Sequence, residues 1–285
     1  MKRKIKILYV AAEISPYANA GGLGEVGRSL PPVLSKSSEF EVCRVMPLHR
    51  QVSNKLKYIA DFPVQMEQGF ETCIIKCDID CNDTPTYFVG NDRYFNRNNI
   101  YGYEDDGFRY FFFCRAVVEM LKHISYRPDI IQTNDWHTGF LPLLIKKEFP
   151  EIKTIYTIHN IAYHGFIPAS YLGDMLSEQE RSNLGWPEWL NFMKAGIIYA
   201  DRLTTVSPGY SNEIRRPRQG FGMEELIEQR PEGIIGILNG IDTIDYDPEH
   251  DGILTYPYTF NKIGEKHRNR TELRTVYSLS DIDVP

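Results

Sequence analysis

Residues 4–12 form a compact apolar run, closed by Glu13, Pro16 and a glycine-rich turn. That is the pattern of a strand buried on both faces of a parallel sheet. Residues 23–36 have helical spacing, although Pro31 and Pro32 supply no backbone N–H and are expected to kink or rewind that helix. A second strand is predicted over 41–46. Between 56 and 89 the pattern changes to short β-type runs with turn signals, which predicts a hairpin or a small antiparallel extension. Apolar positions over 105–123 recur at helical spacing and predict a well-buried helix. Strands then follow at 129–132, 153–158, 202–206 and 233–237, interleaved with helices at 137–147, at 191–199 and from Pro208. Strands alternating with helices predict an α/β fold, a Rossmann-like parallel sheet with helices on both faces. Beyond Asp242 the tail is polar and rich in turns, with no strand expected.

Composition narrows the function classes. With 285 residues and 42% hydrophobic side chains, the chain can bury a large core and disorder is not a competing reading. A net charge of −6 argues against nucleic-acid or anionic-membrane partners, which call for basic patches. No apolar run approaches a membrane span. The basic Met1-Lys-Arg-Lys start precedes too short an apolar stretch for a signal peptide, so a cytoplasmic location is expected. Five cysteines suit free thiols. Cys73, Cys77 and Cys81 share one parity at a four-residue spacing, but no CxxC pair, histidine or fourth ligand accompanies them. A zinc site is therefore not expected, nor any other metal or cofactor.

In an open parallel sheet, function collects at the carboxyl ends of the strands. Here those ends carry residues 13–24, 133–137, 159–165, Ser207-Pro208 and Asn239-Gly240, the segments richest in reactive side chains. Ala20-Gly21-Gly22-Leu23-Gly24-Glu25 opens the first helix, where glycines admit a ligand to the backbone and the helix N-terminus favours an anion. Its spacing meets neither the dinucleotide fingerprint nor the P-loop, and a plain tight turn explains it as well. In Asn134-Asp135-Trp136-His137, polar groups flank an aromatic ring, a combination able to hold a sugar. Equally, Asp135 could cap the next helix with Trp136 in the core. His159, in Thr157-Ile158-His159-Asn160, could donate to a substrate hydroxyl or be a satisfied structural residue. Leu238-Asn239-Gly240-Ile241-Asp242 is a turn whose asparagine could reach a ligand. No nucleophile elbow or zinc-protease motif is present.

Taken together and in order, these segments resemble the bacterial and plant glycogen/starch synthase family. Its opening loop reads here as Ala12-Glu13-Ile14-Ser15-Pro16 through Gly21-Gly22-Leu23-Gly24-Glu25-Val26. Its central motif reads Pro128-Asp129-Ile130-Ile131-Gln132-Thr133-Asn134-Asp135-Trp136-His137. Further matches are residues 156–167, 191–208 and Gly222-Met223-Glu224, and then 237–242. The resemblance implies the N-terminal, acceptor-side half of a two-domain GT-B-type retaining glucosyltransferase. Such an enzyme moves glucose from ADP-glucose, or less commonly UDP-glucose, to the non-reducing end of an α-1,4-glucan without a metal. It also implies roles. His159 would sit beside the transferred glucose, its backbone carbonyl facing the anomeric centre, with Asp135 and Asn239 lining the cleft. Tyr101 would border the sugar subsites and Glu13 the acceptor end. Gly21 and Gly22 would face the donor diphosphate, while His137 and Asn160 would be substrate contacts.

Three departures qualify the match. The family's lysine and threonine before Gly-Gly-Leu are Asn19 and Ala20, and the aspartate that follows is Glu25. Losing that cation forgoes a charge-assisted contact worth about 1–3 kcal/mol. A histidine ahead of Asp135 is replaced by Asn134. Residues 262–274 match the family's linker and the sequence stops at Pro285, which implies an acceptor-side domain over 1–250 and a linker over 251–285. A separate donor-binding domain is then the expected partner, since one cleft wall cannot align donor and acceptor. The competing expectation is a noncatalytic glucan-binding or regulatory module.

Overall fold

The structure is a computed structural model that describes residues 3–52, 55–78, 84–185 and 188–280. Its strands are β1 (Ile5–Val10), β2 (Phe40–Pro47), β3 (Lys57–Met66), β4 (Gly69–Asp78), β5 (Thr86–Gly90), β6 (Ile130–Asn134), β7 (Lys153–Ile158), β8 (Phe166–Pro168), β9 (Trp189–Asn191), β10 (Arg202–Thr205) and β11 (Ile234–Gly236). Nine of them form one sheet in the order β11-β10-β7-β6-β1-β2-β5-β4-β3, and β8 and β9 pair separately. Every pairing from β11 to β5 is parallel. The β3–β4 hairpin is antiparallel and joins β5 at the edge, as the change of pattern after residue 56 predicts. Pro63 lies in the outermost strand, where a missing N–H is tolerated.

From β1 the chain runs outward through β2 to β5. It then returns along the Asp106–His123 helix to β6, on the other side of β1. This reversal leaves a crevice at the carboxyl ends of β1 and β6. Side-chain alternation shows why both faces must be covered. Leu8 and Val10 enter one core, with residues from the helices Asp106–His123, Leu141–Glu148 and Phe192–Tyr199. Tyr9 and Ala11 enter another, closed by Leu23 and Leu30 of the Gly22–Ser35 helix. Tyr110, Phe111, Phe112, Phe113 and Cys114 are consecutive and all fully buried. Between its end residues, only a stripe through Phe108, Arg115, Glu119 and Lys122 reaches the surface, so this helix lies largely inside a layered α/β core.

Two local expectations need correcting, and the tail adds an element. The Gly22–Ser35 helix runs unbroken through Pro31 and Pro32. The two prolines leave only the Gly27 and Arg28 carbonyls without their i+4 donors, and Lys36 N–H still closes the helix on the Pro32 carbonyl at 3.2 Å. The helix read over 137–147 is a single turn, Trp136–Thr138, followed by the helix Leu141–Glu148. Pro142 suits a helix start, because the N–H it lacks would be unpaired there anyway. The polar tail contains the helix Lys266–Val276, which its sparse apolar pattern did not announce.

The chain divides into two compact units, Met1–Asn239 and Gly240–Pro285. In the second, Asn269 bonds both the N–H and the carbonyl of Tyr256, at 3.0 and 2.7 Å, and Arg268 lies over the Tyr256 ring. None of its described residues is buried. Among the described residues, no helix is long and apolar enough to cross a membrane. Cys73 and Cys77 face inward from β4, their thiols pushed up to about 12 and about 11 by burial, and Cys81 lies outside the described residues.

Candidate functional site

The crevice takes its shape from one aspartate. Strands β6 and β7 run side by side with Asn134 opposite Thr157, and Asp135 N–H extends the ladder to the Thr157 carbonyl at 3.0 Å. Asp135 then adopts φ 54° and ψ 179°. Residues with a Cβ seldom occupy that region, and such strain is held by surrounding contacts at functional sites. The turn swings its carboxylate onto the loop after β7, where Oδ1 accepts from His159 N–H at 2.7 Å and Asn160 N–H at 3.1 Å. Oδ2 stays outside that arrangement. Burial pushes the Asp135 carboxyl up, while the His159 ring and the two amides pull it back. The His159 ring is held neutral by burial, against the pull of Asp135. Among the described residues, no backbone N–H donates to the His159 carbonyl.

Glu13 stands three residues beyond β1 and is 2% exposed. Its carboxylate accepts from the Ala20 N–H and is also stabilised by the amides of Gly21 and Gly24, so it staples the glycine turn to the end of β1. Burial pushes the Glu13 carboxyl up, and the Asp135 carboxylate adds to this. Gly21 is the N-cap of the Gly22–Ser35 helix. A Cβ built on Gly21 or Gly22 would meet nothing within 4 Å, so the turn offers open backbone. Asn19 pairs through Nδ2 with Glu25 at 2.6 Å and accepts from Gly21 N–H at 3.1 Å. Asn19 and Glu25, two of the departures from the family motif, thus bond to each other.

Between these anchors runs an aromatic wall. Tyr101 stacks on His137, with ring centroids 4.5 Å apart, and Tyr110 meets the same imidazole edge-on at 4.6 Å. The hydroxyls of Tyr9 and Tyr101 and Nδ1 of His137 are buried without a hydrogen-bond partner. Burial raises both phenols far above their usual range, and the carboxylates of Glu13 and Asp135 raise them further. Burial also keeps His137 neutral, reinforced by His49 and Arg109. Each orphaned group costs about 1–3 kcal/mol unless something bonds it. Such a wall can accept hydrogen bonds from several hydroxyl groups and return others.

The structure thus unites Glu13, Tyr101, Asp135, His137, His159 and the Asn160 backbone around the crevice. The Asn160 side chain folds back to accept from Ala162 N–H at 3.0 Å. Asn239 is exposed beyond β11, three places along the sheet from β6, and is not bonded to this group. Two readings of the central motif need correction. Asp135 does not cap the following turn, and Trp136 is no open platform. Trp136 is 9% exposed, packed against Tyr110, Phe192 and Gly165. Sequence reading missed Tyr9 and His49. A tyrosine inside a mostly apolar, buried strand was the available signal for the first, whereas nothing local marks His49. Ser207 is used as a helix cap, accepting from Tyr210 N–H.

With the geometry in place, comparison with known proteins identifies its relatives. The starch synthase catalytic domain family profile matches residues 6–229. A glycogen synthase of Moorella thermoacetica is 38% identical over 296 aligned positions, covering 100% of this chain and 60% of that protein. One from Streptococcus uberis is 37% identical, with 96% and 60% covered. The solved catalytic domain of starch synthase IV from Arabidopsis thaliana, bound to ADP and acarbose, superposes with a TM-score of 0.86 at 27% identity. It covers 99% of this chain and 61% of that one. The chain therefore spans about 60% of the length of these relatives. With its motifs in family order and its polar groups gathered at the sheet's switch point, the chain belongs to the glycogen and starch synthase family.

Proposed function

We propose that this chain supplies the acceptor-side wall of a cytoplasmic glucosyltransferase, moving glucose from ADP-glucose to the non-reducing end of an α-1,4-glucan with retention. The observation that carries this reading is the group of unspent hydrogen-bonding atoms around Glu13 and Asp135, beside an open glycine turn at a helix N-terminus. A polyhydroxylated neutral ligand matches the first, and a diphosphate matches the second. The ADP and acarbose in the Arabidopsis structure support the same pair of ligand classes.

In this reading His159 lies beside the transferred glucose, its carbonyl toward the positive charge that develops at the anomeric carbon. Asp135 holds that segment by its amides. Tyr101, His137 and Glu13 bind sugar hydroxyls, Gly21 and Gly22 approach the diphosphate, and Asn239 and Asn160 line the cleft. Catalysis further requires a donor-binding domain as partner, because in-place displacement needs both substrates held together. With Asn19 in the lysine position, the donor phosphates lose one cation on this wall, and UDP-glucose is the less favoured donor.

The test is incorporation of radiolabelled glucose from ADP-glucose into glycogen, by the purified chain alone and mixed with a donor domain from a related synthase. Transfer is expected only in the mixture. Transfer by the chain alone would overturn the requirement for a partner. Silence in both, with glucan binding intact and the two proteins demonstrably associated, would favour a noncatalytic glucan-binding module.

A further inference from the structure

The residue that departs from the family ahead of Asp135 makes two hydrogen bonds that together determine where a proton sits. Asn134 is fully buried at the end of β6. Its Nδ2 donates to the Val10 carbonyl at 2.9 Å, and its Oδ1 lies 3.0 Å from His159 Nε2. A backbone carbonyl can only accept, so the amide nitrogen must face Val10 and the amide oxygen must face His159. An amide oxygen can only accept in turn, so His159 Nε2 must carry its proton. In a neutral imidazole the other nitrogen, Nδ1, is then a bare acceptor.

We propose that Asn134 is a positioning residue that locks His159 in the Nε2–H tautomer, so that the ring presents Nδ1 to the crevice as a hydrogen-bond acceptor. A ligand hydroxyl suits that nitrogen, whereas an unprotonated phosphate or carboxylate oxygen, having no hydrogen to donate, does not. The lock starts at β1, passes through β6 and ends on the loop after β7, so three neighbouring strands set one proton. Anchored at both its backbone N–H and its ring, His159 has little freedom to turn. The inference needs no substrate and stands apart from the glucosyltransferase reading.

Long-range proton–nitrogen NMR of the ¹⁵N-histidine-labelled chain at neutral pH tests it, because coupling patterns distinguish a protonated from a bare ring nitrogen. His159→Gln assigns the signals among the seven histidines. The wild-type chain should show a protonated Nε2 and a bare Nδ1 at His159. Asn134→Asp keeps the acceptor but loses the donor to the Val10 carbonyl, and its charge favours imidazolium, so Nε2 should stay protonated while Nδ1 gains a proton. Asn134→Leu, similar in size but without an acceptor, should lower the Nε2–H fraction. A bare Nε2 in the wild-type protein would overturn the proposal, as would a folded Asn134→Leu chain with an unchanged tautomer. If the leucine variant fails to fold, the wild-type pattern and the retained Nε2 proton in Asn134→Asp still decide the matter.

Discussion

At the residue scale, burial without compensation dominates the electrostatics. His49 is 2% exposed, its Nε2 bonds the Ala12 carbonyl at 2.8 Å, and burial pushes its pKa down to about 4, with Arg109 adding to the effect. The unfolded chain therefore takes up a proton near pH 6.5 that the folded chain refuses until about pH 4. Stability from this group is complete above the higher value and is lost as the pH falls through that window, by about 3 kcal/mol. Denaturant titrations of the wild-type chain and His49→Gln between pH 7 and about pH 4 should show a shallower loss in the variant. Glu13 and Asp135 work in the opposite sense, because their raised carboxyl groups favour the folded state as they protonate. Both are present in each protein and cancel in the comparison. Equal slopes would mean that His49 is not held neutral.

At the element scale, two turns meet in a contact that leaves no room for a side chain. Gly165 has φ 64°, and a Cβ there would lie 2.0 Å from the Trp136 ring. The approach of β8 to the Trp136–Thr138 turn depends on that absence, and the approach matters because the same turn aims Asp135. Gly165→Ala should therefore lower stability by about 2 kcal/mol or more, read as a drop in the denaturant midpoint. Gly22→Ala is the control, because a Cβ at Gly22 meets open space and alanine is favourable at a helix start. Its stability should be unchanged or slightly higher. A Gly165→Ala chain as stable as the Gly22→Ala chain would mean the Trp136 contact is not needed.

For the whole molecule, the core is confined to the first compact unit. Among the described residues, the last buried apolar one in sequence is Ile234, and none of Gly240–Pro285 is buried. A chain ended after Asn239 should unfold cooperatively within about 4 °C of the full chain, corresponding to roughly 1 kcal/mol at this size. A much larger fall in the calorimetric midpoint would show that the second unit contributes to the stability of the first.

Much of this architecture was readable in the chain, because strand and helix periodicity are local properties. The buried run before Glu13, the buried helix ending at His123, the strand Lys153–Ile158 and the change of pattern after residue 56 all follow from spacing alone. The motif order likewise marked the family, and strand ends marked where chemistry would gather. Other features depended on contacts between distant segments. The left-handed backbone at Asp135 comes from closing a turn against β7, and nothing in Asn134-Asp135-Trp136 indicates it. Trp136 has the same sequence neighbours whether it is exposed or packed under Gly165, so only the fold could place it in the core. His49, Tyr9 and Asn134 have no local signature either, because their roles depend on partners 37 residues away for His49 and 124 for Asn134, and on the two carboxylates that face Tyr9. Periodicity within the chain determined the layers and the order of the elements. The packing of those layers determined which polar atoms were left unpaired around the crevice, because the cost of burying a polar group depends on what surrounds it in space.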